Sequence, residues 1–178
     1  MLHAIRPFTI AALVFWAALV AHGPVARAQE PRDEAVRAVM VFNFLRFTEF
    51  PPGHMDDERE IRLCILARGP RQANAFFQLD GRRVGKRSLK VLDFTVSQGT
   101  CHVLYVDTRQ GWNAVADSPR LNSTLSISAY PGFIEDGGMI ELDVRREGTQ
   151  FEINLGQGRR AGFHFAPELL RLARRIHE

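Results

Sequence analysis

Apolar and polar side chains alternate along two stretches near the end of the chain. Residues 139–144 alternate up to a turn at 145–148, and residues 151–155 alternate after it. Because successive strand side chains point to opposite faces, this pattern around a glycine-containing turn predicts a β-hairpin. One face would carry Ile140, Leu142 and Val144, and the other Met139, Glu141 and Asp143. We expect this hairpin to lie toward a sheet edge.

A helical pattern follows the hairpin. Pro167 suits the first turn of a helix, where its missing N–H is tolerated. The apolar residues after it fall on one helical stripe and are Leu169, Leu170, Leu172, Ala173 and Ile176. The stripe predicts a C-terminal helix. Arg171, Arg174 and Arg175 would lie away from it, near the helix end, where cations are favourable.

A second helical pattern covers residues 33–49. It stops at Pro51 and Pro52, because the residue before a proline avoids the helical region. The apolar positions form two adjacent stripes, Val36, Met40, Phe44 and Phe47 in one and Ala35, Ala38, Phe42 and Leu45 in the other. A helix that is apolar around most of its girth is buried on more than one side. Either the same domain covers it, or part of it meets a second copy or a partner, a contact that the amide of Asn43 would help to specify.

Between these ends, short apolar runs alternate with helical segments. Strands are predicted over 61–67, 88–96, 101–106 and 124–128, and helices over 72–79 and around Trp112. Such alternation is typical of a mostly parallel sheet with both faces covered. The predicted fold class is therefore α/β: a single three-layer domain with a mixed, mostly parallel sheet, helices on both faces, and a C-terminal β-hairpin plus helix.

Residues 1–28 have the features of a cleavable export signal. Arg6 supplies positive charge, residues 8–20 are apolar, and Ala26-Arg27-Ala28 is an A-x-A cleavage site. A retained membrane anchor is the alternative, but this apolar run is shorter than the roughly 20 residues that span a bilayer. We expect a soluble exported protein that begins at Gln29, with residues 29–178 forming one domain.

Charge gives little reason to expect a nucleic-acid partner. Residues 29–178 contain twenty-one basic and twenty acidic side chains. A local basic excess at Arg82-Arg83, Lys86-Arg87 and Lys90 is interrupted and has no interleaved aromatic residue. It is interpreted as a solvated loop.

Residue combinations typical of catalysis are missing from the sequence. His54, His102, His164 and His177 lack metal-ligand spacing, and neither a nucleophile elbow nor a P-loop is present. Residues 156–158 match only a fragment of a dinucleotide fingerprint. We therefore predict a non-enzymatic protein without a cofactor or metal.

Cys64 and Cys101 are the only cysteines, and each lies in or beside a predicted strand. In an exported protein they could form an intramolecular disulfide. The alternative is two buried thiols that pack as small hydrophobic groups.

Several segments resemble one family of proteins. Residues 42–44 read Phe-Asn-Phe and residues 47–51 read Phe-Thr-Glu-Phe-Pro; later come Gly-Gly-Met-Ile at 137–140, Phe-Glu-Ile-Asn at 151–154, Arg-Ala-Gly at 160–162 and Leu-Leu-Arg-Leu-Ala at 169–173. Together, and in this order, they resemble the YfiR family of small exported bacterial proteins. Phe50 departs from the family, which usually has Trp there.

The resemblance implies a periplasmic regulator. YfiR-like proteins bind the periplasmic domain of an inner-membrane diguanylate cyclase and repress its synthesis of cyclic di-GMP. An OmpA-like outer-membrane lipoprotein can sequester the regulator. Two other interpretations stay open: a periplasmic small-ligand sensor domain for another membrane receptor, and an envelope adaptor without signalling output.

The resemblance also implies roles for particular residues. It favours the Cys64–Cys101 bond, although the additional cysteine pair found in the hairpin of one member is missing here. It favours a homodimer, for which the first helix offers Phe42, Asn43, Phe44 and Phe47 as dimer or partner contacts.

We place the partner surface on the C-terminal hairpin and the following turn, at Ile140, Glu152, Asn154 and Arg159. A sheet edge with alternating side chains suits protein recognition. The competing structural roles are core packing for Ile140, capping of the next turn for Asn154, and pairing of Glu152 with an arginine.

Overall fold

The computed structural model describes residues 30–55, 59–94, 100–145 and 147–178. The predicted signal, residues 1–28, lies outside this part of the chain, and so do Gln29, Val96 and Arg146. Within the described ranges, no helix is both long and apolar enough to cross a membrane.

The described residues form ten strands. Their bounds are β1 Thr48–Glu49, β2 Glu60–Leu66, β3 Arg83–Val84, β4 Arg87–Asp93, β5 Val103–Val106, β6 Leu125–Ser128, β7 Ile140–Arg145, β8 Gly148–Asn154, β9 His164–Phe165 and β10 Arg175–His177. Eight of them make one sheet in the order β10-β8-β7-β6-β5-β2-β4-β3, and β1 pairs with β9 separately.

Strands β4, β2, β5, β6 and β7 run parallel to one another. The hairpin strand β8 is antiparallel to β7, and β3 is antiparallel to β4. The sheet is therefore mixed and mostly parallel, which confirms the predicted fold class. The alternating stretches at 139–144 and 151–155 do form the predicted hairpin.

Helices cover both faces of the large sheet. They are α1 Glu30–Arg46, α2 Pro70–Phe77, α3 Arg109–Asn113, α4 Leu155–Arg160 and α5 Pro167–Leu172, with a 3-10 turn at Pro119–Leu121. Side chains of α1, α2 and α5 belong to the larger buried cluster. Trp112 of α3 belongs to a second cluster.

Strand β5 shows why two layers of cover are needed. All four of its side chains are buried. Val103 and Tyr105 join the larger cluster, where the Tyr105 ring lies 4.3 Å from that of Phe76. Leu104 and Val106 join the second cluster. A strand that is apolar on both faces is stable only between two covering layers.

The predicted C-terminal helix is wrong beyond Leu172. Helix α5 ends there, and residues 175–177 form β10, parallel to β8. The Arg174 N–H donates to the Phe151 carbonyl at 2.8 Å, so pairing with the sheet replaces helical hydrogen bonds. The hairpin lies toward a sheet edge, as expected, but β10 occupies the edge itself and pairs with β8.

Helix α1 ends three residues earlier than expected, because Thr48 and Glu49 pair with β9. Its inward side chains are Ala38, Val41, Phe44 and Leu45. Phe44 packs edge-on against Phe151, with ring centroids 5.0 Å apart. Phe42 is half-buried beneath the Arg82 guanidinium, whose carbon lies 4.7 Å from the ring centroid.

A buried charge cluster attaches the first turns of α1 to the ends of β2 and β5. Arg37 Nη1 lies 2.9 Å from Glu34 Oε1 and 3.9 Å from Asp107 Oδ1, and Arg68 Nε lies 2.7 Å from Asp107 Oδ2. Burial raises the pKa of Glu34 above its usual 4.5, although the Arg37 charge opposes the shift. An ionised Glu34 is therefore disfavoured in the folded protein.

Substitution Glu34→Gln should alter how stability depends on pH. A carboxyl group with a raised folded pKa stabilises the fold below its unfolded pKa, near 4.5, and loses that contribution as the pH rises through the folded pKa. The wild type should therefore lose stability relative to the variant as the pH rises above about 4.5 and through the folded pKa. Calorimetric unfolding across this range measures it, with the exposed Glu168→Gln as control. If stability changed with pH in the same way in the wild type and in Glu34→Gln, the raised pKa of Glu34 would be contradicted.

Cys64 of β2 and Cys101, two residues before β5, form a disulfide with their Cα atoms 5.9 Å apart. Both residues are buried and belong to the second cluster. The bond ties together neighbouring parallel strands and closes a loop with a sequence separation of 37. The predicted pairing is thus the one the structure contains.

Removing this bond should destabilise the protein. A chain-entropy estimate for a loop of 37 residues is about 4 kcal/mol. We expect Cys64→Ser with Cys101→Ser to lower the free energy of unfolding by up to about that amount, as measured by urea titration. Mass spectrometry of the periplasmic protein should find the two cysteines protected from alkylation. Complete labelling in unfolded, unreduced protein would exclude the bond.

Candidate partner-binding surface

The four C-terminal residues predicted to bind a partner occupy different environments. Ile140 starts β7 and is fully buried in the larger cluster, so its predicted core role is confirmed. It opposes Ile153 of β8 and Ile127 of β6 in the sheet register. Ile140 would therefore affect partner binding only indirectly, by positioning the hairpin.

Glu152 lies at the centre of a second buried ionic cluster. Its side chain is only 8% exposed. Arg174 Nε donates to Glu152 Oε1 at 3.1 Å, the Arg174 Nη2 group bonds to the same oxygen, and His177 Nε2 lies 2.6 Å from Oε2. Arg174 directly precedes β10, and His177 is its last residue. The expected pairing of Glu152 with an arginine is confirmed, and its direct contact with a partner stays a prediction.

The charge state of Glu152 supports this clamp. Burial alone would raise the pKa of Glu152, but hydrogen bonds from His177 and Arg174, together with the Arg174 and Arg175 charges, lower it below its usual 4.5. The carboxyl group therefore stays ionised at neutral pH. It holds β10 against β8 through two side chains located 22 and 25 residues further along the chain.

Asn154 and Arg159 lie at the two ends of α4. The Asn154 side-chain oxygen accepts from the Gln157 N–H at 2.8 Å, which confirms the capping role. The Arg159 side chain is 63% exposed and its Nη1 lies 3.5 Å from Glu178 Oε2. Of the four predicted residues, Arg159 alone presents its side chain fully to solvent.

Two exposed apolar residues add to this region, and the sequence reasoning missed both as partner contacts. Leu172 at the end of α5 is 73% exposed, and Ile176 of β10 is 39% exposed. Ile176 lies opposite the buried Ile153 and extends the apolar face of the sheet outward. We call Arg159, Leu172, Arg175 and Ile176 the C-terminal surface. Local pattern placed both apolar residues on a helical stripe, so no sequence signal indicated their exposure.

The outward side of α1 forms a second surface. Helical spacing places Val36, Val39 and Asn43 opposite the buried stripe, with Phe47 just after the helix. We call these four residues the α1 ridge. Val39 and Phe47 are 49% and 37% exposed. Of the predicted dimer residues, Asn43 and Phe47 lie on this ridge, Phe42 lies beside it, and Phe44 is buried against Phe151.

These two surfaces account for all the exposed large hydrophobic side chains among the described residues: Val39, Phe47, Leu172 and Ile176. Single exposed apolar residues are ordinary on a protein surface. Two of these residues lie in the C-terminal region and two on or just after α1, which makes these two regions the candidates for an interaction surface.

A cavity of about 440 Å³ lies at the carboxyl ends of β2 and β4, beside α2. Its walls are mainly apolar, including Leu66, Phe77 and Phe94, with Asn74 and Asp93 as polar members. In the part of the chain that the structure describes, no three His, Cys, Asp or Glu residues are grouped so that they could hold a metal ion.

Comparison with known proteins identifies the family. The family model described as YfiR/HmsC-like matches residues 34–174, so the chain belongs to the YfiR/HmsC-like family. This match includes both ends of the resemblance noted from the sequence. It also includes most of α1, both cysteines of the disulfide, and Glu152 with Arg174.

A search of curated proteins finds no significant match. Among solved structures, a conserved domain protein from Vibrio cholerae O1 biovar eltor matches with a TM-score of 0.51 at 10% sequence identity. The match covers 80% of this chain and 60% of that chain, so this protein spans about 60% of the length of the matched structure. At such low identity the likeness shows the fold alone.

Proposed function

We propose that this protein is a non-enzymatic periplasmic regulator that binds the periplasmic domain of an inner-membrane diguanylate cyclase and represses cyclic di-GMP synthesis. Membership of the YfiR/HmsC-like family is the observation that carries this proposal, because the family is consistent with periplasmic regulation of such cyclases. The disulfide suits an oxidising compartment. Export would follow from the signal predicted over residues 1–28.

Repression requires a difference in affinity between two conformations of the cyclase. A regulator that bound both states equally would shift nothing, however tightly it bound. We propose that the C-terminal surface makes this contact, with Leu172 and Ile176 as apolar anchors and Arg159 at the rim. An OmpA-like outer-membrane lipoprotein would relieve repression by competing for the regulator.

The Glu152 cluster has an indirect role in this proposal. Glu152 holds β10, and Asn154 caps α4, so both keep the C-terminal surface in shape. Charge reversal in Glu152→Lys would set a cation beside Arg174 inside a mostly buried cluster, which is strongly destabilising. An exposed residue therefore tests the surface more directly.

Leu172→Asp should remove repression while leaving the fold intact. Leu172 is 73% exposed, so we expect a stability change within about 0.5 kcal/mol. A charge at an apolar anchor should weaken partner binding by about tenfold or more. The measurements are thermal unfolding, pull-down of the cyclase periplasmic domain, and cellular cyclic di-GMP.

Gln110→Asp is the matched control, since it introduces the same charge at an exposed position of α3. Normal repression by a folded Leu172→Asp protein would eliminate the C-terminal surface. If neither the wild type nor the control binds the cyclase domain, the regulatory function itself is refuted.

We further propose that the α1 ridge forms a homodimer interface. Light scattering at micromolar concentration should give about twice the monomer mass for the wild type. Val39→Asp should give a monomer, because it sets a charge in the middle of the ridge. Gln110→Asp should remain dimeric. A wild-type monomer across a concentration series, or a dimer in Val39→Asp, would refute this interface.

A small-ligand sensor is a second candidate, favoured by the 440 Å³ cavity beside α2. Its volume lies within the range of small-molecule pockets, roughly 300–1,000 Å³, and its apolar walls carry two polar groups that could orient a ligand. An envelope adaptor without signalling output has no such specific observation in its favour.

A further inference from the structure

Positive charge is concentrated at one edge of the sheet. Residues 81–92 contain five basic side chains and no acidic one. Residues 29–178 have twenty-one basic and twenty acidic residues, so the rest of that range carries sixteen basic against twenty acidic. The nearly neutral total therefore includes a local excess of positive charge, flanked in sequence by Asp80 and Asp93.

The five basic residues lie around the β3–β4 hairpin, where β3 is the outermost strand. Val84 packs against the larger cluster, so Arg83 before it points to the opposite face of the sheet. Arg82 lies on the α1 side, over the Phe42 ring. Lys86 is exposed in the turn. Cations thus project from both sides of this edge and from its tip.

Three of these cations lack an ion-pair partner in the part of the chain that the structure describes. Within the described ranges, no carboxylate lies within ion-pair distance of Arg82, Arg83 or Lys86, which we call the basic edge. Asp80 is the nearest acidic residue in sequence, and it is engaged by Lys90 at 3.3 Å and by the Val91 N–H at 2.8 Å.

Charges on an edge strand also prevent edge-to-edge aggregation. That role would need only the two residues of β3. The basic edge continues beyond them, with Arg82 before β3 and Lys86 in the turn, so edge protection explains only part of it.

We propose that the basic edge docks on an anionic phospholipid surface. Clustered Lys and Arg near such a surface each contribute attraction without needing a shaped pocket. A protein partner is less suited to this edge. Strand β3 has only two residues with which to template strand addition, and cations that diverge on two sides of an edge do not line a groove. The proposal is independent of the cyclase.

Vesicle co-sedimentation tests this docking with full-length mature protein. We expect binding to vesicles that contain phosphatidylglycerol and none to pure phosphatidylcholine vesicles. Raising NaCl from about 0.1 to about 1 M shortens the screening length from about 10 to about 3 Å and should release the protein. The triple variant Arg82→Glu, Arg83→Glu, Lys86→Glu should bind at least about 100-fold more weakly.

The matched control reverses three exposed arginines toward the opposite edge: Arg145→Glu, Arg160→Glu and Arg171→Glu. It has the same net charge as the triple variant and should keep most of the binding. Equal losses of vesicle binding in both variants would show that binding depends on net charge alone, which would overturn the proposal. Absence of wild-type binding to anionic vesicles would also overturn it. If the wild type does not bind anionic vesicles and the triple variant fails to repress cyclic di-GMP synthesis in cells, the basic edge would be assigned to an acidic protein partner.

Discussion

The structure depends on the burial of its central parallel strands on both faces. All four residues of β5 and all four of β6 are buried, so neither face of the sheet can meet water. Helices α1 and α2 cover one face, while α3 and the segment around Tyr130 and Phe133 cover the other. The same constraint aligns β2 with β5 and thereby brings Cys64 within bonding distance of Cys101.

One ionic cluster decides the shape of the C-terminal region. Glu152 would be costly to bury alone; Arg174 compensates its charge, and His177 contacts its second oxygen. Because both partners come from the last residues of the chain, satisfying Glu152 places β10 on the edge of the sheet. That placement leaves Leu172 and Ile176 exposed. Glu152 therefore positions the exposed apolar residues Leu172 and Ile176 without being exposed itself.

The proposed surfaces lie on separate parts of the fold. The C-terminal surface includes β10 at one end of the eight-stranded sheet, and the basic edge surrounds β3 at the other. The α1 ridge lies on the outer side of the helix that contacts β7. Contacts with a cyclase, a second copy and a lipid surface would therefore use different residues. This separation allows each interaction to be removed by substitution without disturbing the other two.

Local pattern alone determined much of this fold. Period-two alternation located the hairpin, apolar runs located β2, β5 and β6, and two prolines ended the first helical region near its observed limit. For Ile140 and Asn154, which were predicted as partner contacts, the structure contains the competing roles of core packing and capping. The end of α5, strand β10 and the pairing of β1 with β9 were decided by tertiary structure. Residues 169–176 satisfy a helical pattern, yet main-chain bonds to Phe151 and the distant charge of Glu152 outweigh it. Periodicity reports which side chains share a face within one element, whereas strand partners and ion pairs join residues that are distant in sequence.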